Sequence, residues 1–189
     1  MKADPHSWAC DLSQLYAEAW LRLTRGVHDR HAPARHPTLA TVSPEGRPQV
    51  RTVVLRAADK AAGTLDIHTD LQSAKVGDLR ATPFAALHVW DTSAHLQLRL
   101  QAHVTILTGK DVATIWEGVP AVSRQSYGST PAPGQPIAQA LDYTKAADQA
   151  SFVVLRLRVA TIDALHLGQN HRRAQFDRHN DWKGAWLAP

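Results

Sequence analysis

A single cysteine, Cys10, stands in 189 residues, so no disulfide can form within the chain, and that usage agrees with a reducing compartment. No apolar run comes near the roughly 20 residues that a membrane-spanning helix needs. The opening Met1-Lys2-Ala3-Asp4-Pro5-His6-Ser7-Trp8 lacks the apolar core of a secretory signal. The expectation is a cytoplasmic protein that does not enter a membrane. Neither a P-loop nor a Gly-x-Gly-x-x-Gly fingerprint occurs, which argues against ATP and against a Rossmann-bound dinucleotide. There is no Gly-x-Ser-x-Gly elbow, and Cys10 has no evident partner for nucleophilic catalysis. Eleven histidines are present, but none falls into the paired Cys/His or His-Glu-x-x-His spacings of zinc sites, so no metal is expected. The formal charge of +4 comes from dispersed residues, His171-Arg172-Arg173 being too short a cluster for nucleic acid. An anionic small molecule fits better.

What is present is ordinary for a globular fold: 44% hydrophobic and 20% charged residues, enough for a sizeable core. One domain over residues 1–189 is expected, with an N-terminal helix and loop over 1–35 and a barrel over 36–189. Leu12, Leu15, Tyr16, Ala19 and Leu23 recur at helical spacing, predicting a helix from 7 to about 26 with Gly26 placed to stop it. Residues 38–56 read as a hairpin about Pro44-Glu45-Gly46-Arg47, with Val50 to Arg56 as its second strand. Further strands are expected at 64–69, 84–90, 95–107, 152–160, 162–168, 173–178 and 182–187. Short helices are expected at 73–80, 110–117 and 137–147, and a Gly/Pro-rich loop at 128–136. The cleanest alternation lies in 95–107: Leu96, Leu98, Leu100, Ala102, Val104 and Ile106 share one face, and Gln97, Arg99, Gln101, His103 and Thr105 the other. Many antiparallel strands with few helices predict a mainly β fold, a β-barrel with α-helical decoration.

The stretch from Arg51 to Lys75 carries the chemistry. Arg51 and Arg56 lie on an apolar β run, and a second run ends in Thr69, Ser73 and Lys75 at a helix start. Arginine grips phosphate through a planar fork, and a helix N-terminus offers free N–H groups to an anion. Lys75 opposes the helix dipole there, a conflict that a bound anion would remove. Spacing alone leaves two readings open: a phosphate site, or a solvated strand followed by a helix capped by Ser73. Five residues of regular strand put Arg51 and Arg56 on opposite faces, about 16 Å apart. Both can clamp one phosphate only if a bulge or bend intervenes, so the ligand read here is longer than one phosphate.

The ordered series Arg51-x-Val53-Val54-Leu55-Arg56, His68-Thr69-Asp70-x-x-Ser73-x-Lys75, Pro83 leading to Val89-Trp90, Gln97, Gln125-Ser126, Phe152-x-x-x-x-Leu157-Arg158-Val159 and the ending Asn180-Asp181-Trp182-x-x-x-Trp186-Leu187-Ala188-Pro189 resembles the pyridoxamine 5′-phosphate oxidase-like flavoproteins. The resemblance covers most of residues 36–189 and implies the FMN-binding split β-barrel, of antiparallel Greek-key type, with FMN at a homodimer interface. It further implies that Arg51 and Lys75 hold the phosphate with Thr69 and Ser73 nearby. Thr52, Val53, Val54 and His68 would lie along the cofactor, and Gln97, Gln125 and Ser126 would touch the flavin. Arg56 stands where the family has a lysine near flavin and substrate, which makes Arg56 and Arg172 candidate substrate contacts.

Departures from the family matter too. Ser73-Ala74-Lys75 lacks a phosphate arginine, and Ile115-Trp116-Glu117-Gly118-Val119-Pro120 lacks the tyrosine, arginine and serine that grip the vitamin's phosphate. Arg172-Arg173-Ala174 lacks a substrate histidine, and Leu167 stands where a tryptophan would cover the flavin. The expected function is an FMN-dependent oxidoreductase of unidentified substrate. The alternatives are a true pyridoxamine/pyridoxine 5′-phosphate oxidase, a flavin-binding module without turnover, or a split barrel holding a deazaflavin or haem.

Overall fold

The computed structural model describes residues 6–189, so the first five residues of the expected 1–35 segment lie outside the described part. A turn of 3-10 helix at Ser7–Cys10 precedes α1 (Leu12–His28). Asp11 caps α1 by accepting the Gln14 N–H at 2.8 Å, as a short acidic side chain at that position should. The helix buries Leu15, Ala19, Trp20 and Leu23, the stripe its periodicity predicts.

The strands are β1 (Thr38–Val42), β2 (Pro48–Thr52), β3 (Leu55–Asp59) and β4 (Thr64–Asp70), then α2 (Ala74–Ala81), β5 (Phe84–Asp91) and β6 (Leu96–Leu107). Two short helices, α3 (Ala113–Gly118) and α4 (Ala121–Arg124), lead to a two-residue pair, β7 (Ser129–Thr130) with β8 (Thr144–Lys145). The chain closes with β9 (Phe152–His166), β10 (Arg172–Asp177) and β11 (Gly184–Leu187).

Every pairing is antiparallel. One path of hydrogen-bonded neighbours runs β3-β4-β9-β6-β5-β1-β2. Its two end strands, β2 and β3, are joined by only Val53 and Val54. That short covalent link draws the two edges together, so the sheet has to curl on itself. β9 is the hinge of the architecture: one edge pairs with β6 from Val154 to His166, while its other edge pairs with β4 over Phe152–Arg158 and with β10 over Thr161–His166. The change of partner falls at a register shift opposite Gln101/Ala102, where a bulge bends the strand. The barrel splits there.

The interior is filled by Leu39, Leu55, Leu65, Ile67, Leu87, Leu98, Leu100, Leu155 and Leu157, with α1 and with Val76 and Leu79 of α2 packed against them. A second, smaller cluster gathers Val112, Trp116, Val119, Tyr127, Phe152 and Val154.

The structure corrects four expectations. Gly26 does not stop the first helix: it is buried inside α1, which runs on to His28. The strand expected over 50–56 breaks at Val53-Val54, because β2 serves β1 and β3 serves β4. The two strands expected at 152–160 and 162–168 are one bulged strand, β9. No helix forms over 137–147: Leu141 is 81% exposed and Ile137 41%, so an apolar helix face would have nothing to cover, and an isolated short helix is not stable.

Candidate functional site

Two groups of the expected residues come together at one end of the barrel. In the first, Lys75 Nζ donates to Thr69 Oγ1 at 2.9 Å. Thr69 and Ser73 hydroxyls lie 3.1 Å apart, and the Ser73 hydroxyl donates to the Asp70 carbonyl at 2.8 Å. Since the Ser73 proton is spent on that carbonyl, Thr69 donates to Ser73. Of the two readings left open by the spacing, the helix capped by the Ser73 side chain is not the one observed: the Ser73 hydroxyl turns back, and the helix start has no side-chain cap. Among the described residues no side chain caps the amides at the start of α2, and Thr69 is the one side-chain hydrogen-bond partner of Lys75 Nζ. Arg51, on β2, reaches the same corner: its Nη1 donates to Thr41 Oγ1 at 2.6 Å, and its Nη2 lies 3.4 Å from Asp78 Oδ2. Burial, and secondly the Arg51 charge, pull the Lys75 pKa below its ordinary value. Two half-buried cations held near each other beside an uncapped helix start make a site for an anion.

In the second group, Arg56 lies with His68, Tyr127 and Arg35. Burial first, and the Arg56 guanidinium second, lower the pKa of His68 and Arg35, and Arg56 opposes the rise that burial gives Tyr127. The His68 imidazole packs edge-on against Phe152 at 4.9 Å, and Tyr127 against the same ring at 4.9 Å. Among the described residues no carboxylate pairs with Arg56, and its Nε is buried without a partner. The bend at Val53-Val54 is what places Arg56 here, on a strand separate from Arg51. The regular strand assumed from the sequence is absent, but the two arginines do serve different regions.

Gln125 and Ser126 are exposed just before Tyr127. They are tied to this end because the Gly128 N–H donates to Asp70 Oδ2 at 2.8 Å. Thr52 is exposed, Val53 buried and Val54 half-buried; Val53 N donates to the Pro37 carbonyl at 3.0 Å.

Gln97 and Arg172 are elsewhere. Thr69 pairs with Val153, whose neighbour Val154 pairs with Leu107 at the far end of β6. Gln97 lies ten residues earlier on that strand, about 30 Å along it at roughly 3.3 Å per residue. There it pairs with Leu165 and Trp90, and Arg172 pairs with His166. The two expected halves of the site thus occupy opposite ends of the barrel. At the Gln97 end the structure shows a group the sequence reading missed. His166 is almost fully buried, its Nδ1 3.3 Å from Arg172 Nη1. It packs against His6 and Trp8 at 5.0 and 5.5 Å. A histidine therefore does stand beside Arg172, supplied by the neighbouring strand and not by position 174. Only the strand register could have revealed it.

Among the described residues no cluster of His, Cys, Asp and Glu is arranged to hold a metal ion, and no helix is long and apolar enough to cross a membrane.

This β-barrel, split along β9 and gathering Arg51, Lys75 and the start of α2 at one end, defines the class. The family described as "Pyridoxamine 5'-phosphate oxidase, FMN-binding domain" matches residues 17–108. A pyridoxine/pyridoxamine 5'-phosphate oxidase of Acinetobacter baumannii (strain SDF) is 34% identical over 114 residues, 60% of this chain and 50% of the relative. One from Mycolicibacterium paratuberculosis is 36% identical over 86 residues, 46% and 38% of the two chains. The chain spans about half the length of the curated relatives it matches. A crystal structure of a pyridoxamine 5'-phosphate oxidase-related, FMN binding protein from Nostoc punctiforme superposes with a TM-score of 0.74 at 25% identity, covering 92% of this chain and 96% of that one. PhzG from Burkholderia lata superposes at 0.70 with 19% identity, over 94% and 90% of the two chains, a likeness of fold. The chain shares the fold of these proteins, and over residues 17–108 its sequence is similar to the pyridoxamine 5′-phosphate oxidase-like family.

Proposed function

We propose that the protein is an FMN-dependent oxidoreductase that works as a homodimer. Each cofactor is held by the Arg51/Lys75 corner of one copy and the Gln97/Arg172 end of the other. The observation that carries this reading is the separation of the two half-sites: about 30 Å along β6 is beyond the reach of one flavin mononucleotide within a single chain. The corner fits a phosphate, because Arg51, Lys75 and the uncapped start of α2 present donors and positive charge with only part of it neutralised by Asp78. FMN, when bound, supplies the redox chemistry; the chain supplies binding, orientation and electrostatics. No side chain need act as a nucleophile.

The substrate differs from the vitamin B6 phosphates on this reading. The segment around α3 lacks the phosphate-gripping residues of the family, and an unpaired substrate phosphate in a closed pocket would cost several kcal/mol. Purified protein is expected to show the two visible bands of oxidised flavin and to form no hydrogen peroxide from pyridoxamine phosphate. Peroxide together with pyridoxal phosphate would restore the family's named reaction.

Shared sites are tested by complementation. Lys75→Met and Gln97→Leu each damage one half of both sites. In a mixed dimer one of the two sites is built from two intact halves, and random exchange of equal amounts makes half the dimers mixed, so mixing the two variants is expected to restore flavin binding to about a quarter of the wild-type level. No restoration, with both variants folded, would show that the halves do not meet.

A further inference from the structure

Arg51 is not simply exposed at the anion corner; it is held there. Its Nη1 donates to Thr41 Oγ1 at 2.6 Å and to the Gln49 carbonyl at 3.2 Å. Thr41 in turn donates its only hydroxyl hydrogen to Asp78 Oδ2, also at 2.6 Å. Asp78 sits on the buried face of α2, one turn after Lys75, and is 5% exposed; Thr41 is 2% exposed. The carboxylate thus fixes which way the threonine hydrogen points and leaves a lone pair aimed at Arg51. Both Nη1 hydrogens are used internally, while Nε and part of Nη2 remain for a ligand. Neither Thr41 nor Asp78 is exposed enough to touch that ligand itself.

We infer that Thr41 is a positioning residue: it locks the Arg51 fork towards Lys75 and thereby sets the preference for phosphorylated over unphosphorylated flavin. The inference rests on the reading of this corner as the FMN phosphate site. An arginine held in its binding rotamer before the ligand arrives does not lose that freedom on binding. The gain is confined to the phosphate, because riboflavin has nothing for Arg51 to grip. Position 74, where the family carries a second phosphate arginine, is alanine here, so the orientation of the remaining arginine matters more.

The test is a titration of flavin-free protein with FMN and, separately, riboflavin. Wild type is expected to prefer FMN, and Arg51→Met to lose that preference. Thr41→Val, which keeps the shape and removes the hydroxyl, is expected to weaken FMN about tenfold, the scale of one hydrogen bond to a charged group, and to leave riboflavin unchanged. Thr41→Ser is expected to behave as wild type. In the Arg51→Met background, Thr41→Val is expected to add nothing. Should Thr41→Val not fold, Thr41→Ala carries the same expectation. If Arg51→Met loses the preference while the Thr41 variants keep it, the positioning role is wrong and the phosphate site stands. The positioning role also falls if Thr41→Val weakens both flavins equally. If wild type shows no preference, or Arg51→Met retains it, the phosphate reading fails and the inference falls with it.

Discussion

Gly26, near the end of α1, lies against Ala34 so closely that a β-carbon on it would stand 2.6 Å from the Ala34 carbonyl carbon and 2.7 Å from its oxygen. The neighbour is backbone, so it cannot swing aside. Helix propensity alone favours alanine over glycine by about 1 kcal/mol, whereas overpacking costs about 1–3 kcal/mol. The clash wins at this separation. Gly26→Ala is expected to lower the denaturation midpoint with the slope unchanged; a raised midpoint would mean that the contact is looser than described.

Asp70 ties the 125–128 loop to the turn before α2. Its Oδ1 accepts from Gln72 N and its Oδ2 from Gly128 N, each at 2.8 Å, and its carbonyl accepts from Ser73. Asp70→Ala is expected to release the 125–128 loop from the turn before α2, at about 2–3 kcal/mol for two charge-assisted bonds at a buried position. Amide hydrogen exchange checks it directly: protection should fall at Gln72 and Gly128 while the β6 amides keep theirs. Uniform loss along β6 would instead mark global unfolding.

The sequence made the barrel legible where burial imposes a period. The alternation in β6 is seen directly, with Leu96, Leu98, Leu100, Ala102 and Val104 buried and Arg99, Gln101, His103 and Thr105 exposed. It failed where tertiary contacts decide. Gly26 carries the signature of a helix stop, and only the approach of Ala34 shows why a glycine is there. Residues 137–147 have a helical composition but no surface to pack on. The residues of the anion corner were readable from their order, since Arg51, Thr69, Ser73 and Lys75 do converge. Thr41 and Asp78 were not, because they lie on β1 and the far side of α2 and show no spacing to Arg51. The distance from Lys75 to Gln97 likewise follows from register alone.

Arg35 closes the junction between α1 and β3. Its Nη1 donates to the Val27 carbonyl at 2.8 Å and to the Leu55 carbonyl at 3.2 Å, so it satisfies an end-of-helix acceptor and anchors the strand that carries Arg56. Arg35→Met would leave both carbonyls without this donor at a cost of about 2 kcal/mol. Arg35→Lys is expected to recover only part of it, since a single ammonium replaces a planar fork. Equilibrium denaturation of the three proteins provides the check, and a methionine variant as stable as wild type would refute the bridging role.

His68 gives the protein an acid-sensitive side chain at the candidate site. Burial first, and the Arg56 charge second, push its pKa down from 6.5 to about 4, with Asp66 opposing. Asp66 cannot relieve the imidazole fully because both its oxygens are taken by Arg156, at 2.9 and 2.8 Å. The folded state therefore prefers neutral His68, while the unfolded chain takes up a proton near pH 6.5. The resulting stability is complete above that pH, declines as pH falls, and is lost once the pH passes below about 4. By pH near 4.5 the difference amounts to about 2 kcal/mol, allowing for partial solvent access. Exposed carboxylates such as Asp11 and Asp29, whose pKa values are lowered by hydrogen bonds, titrate in wild type and variant alike and cancel in the comparison. His68→Gln is accordingly expected to lose less stability than wild type between pH 7 and 4.5. Parallel stability curves for the two proteins over that window would show that the imidazole is not held neutral by its surroundings.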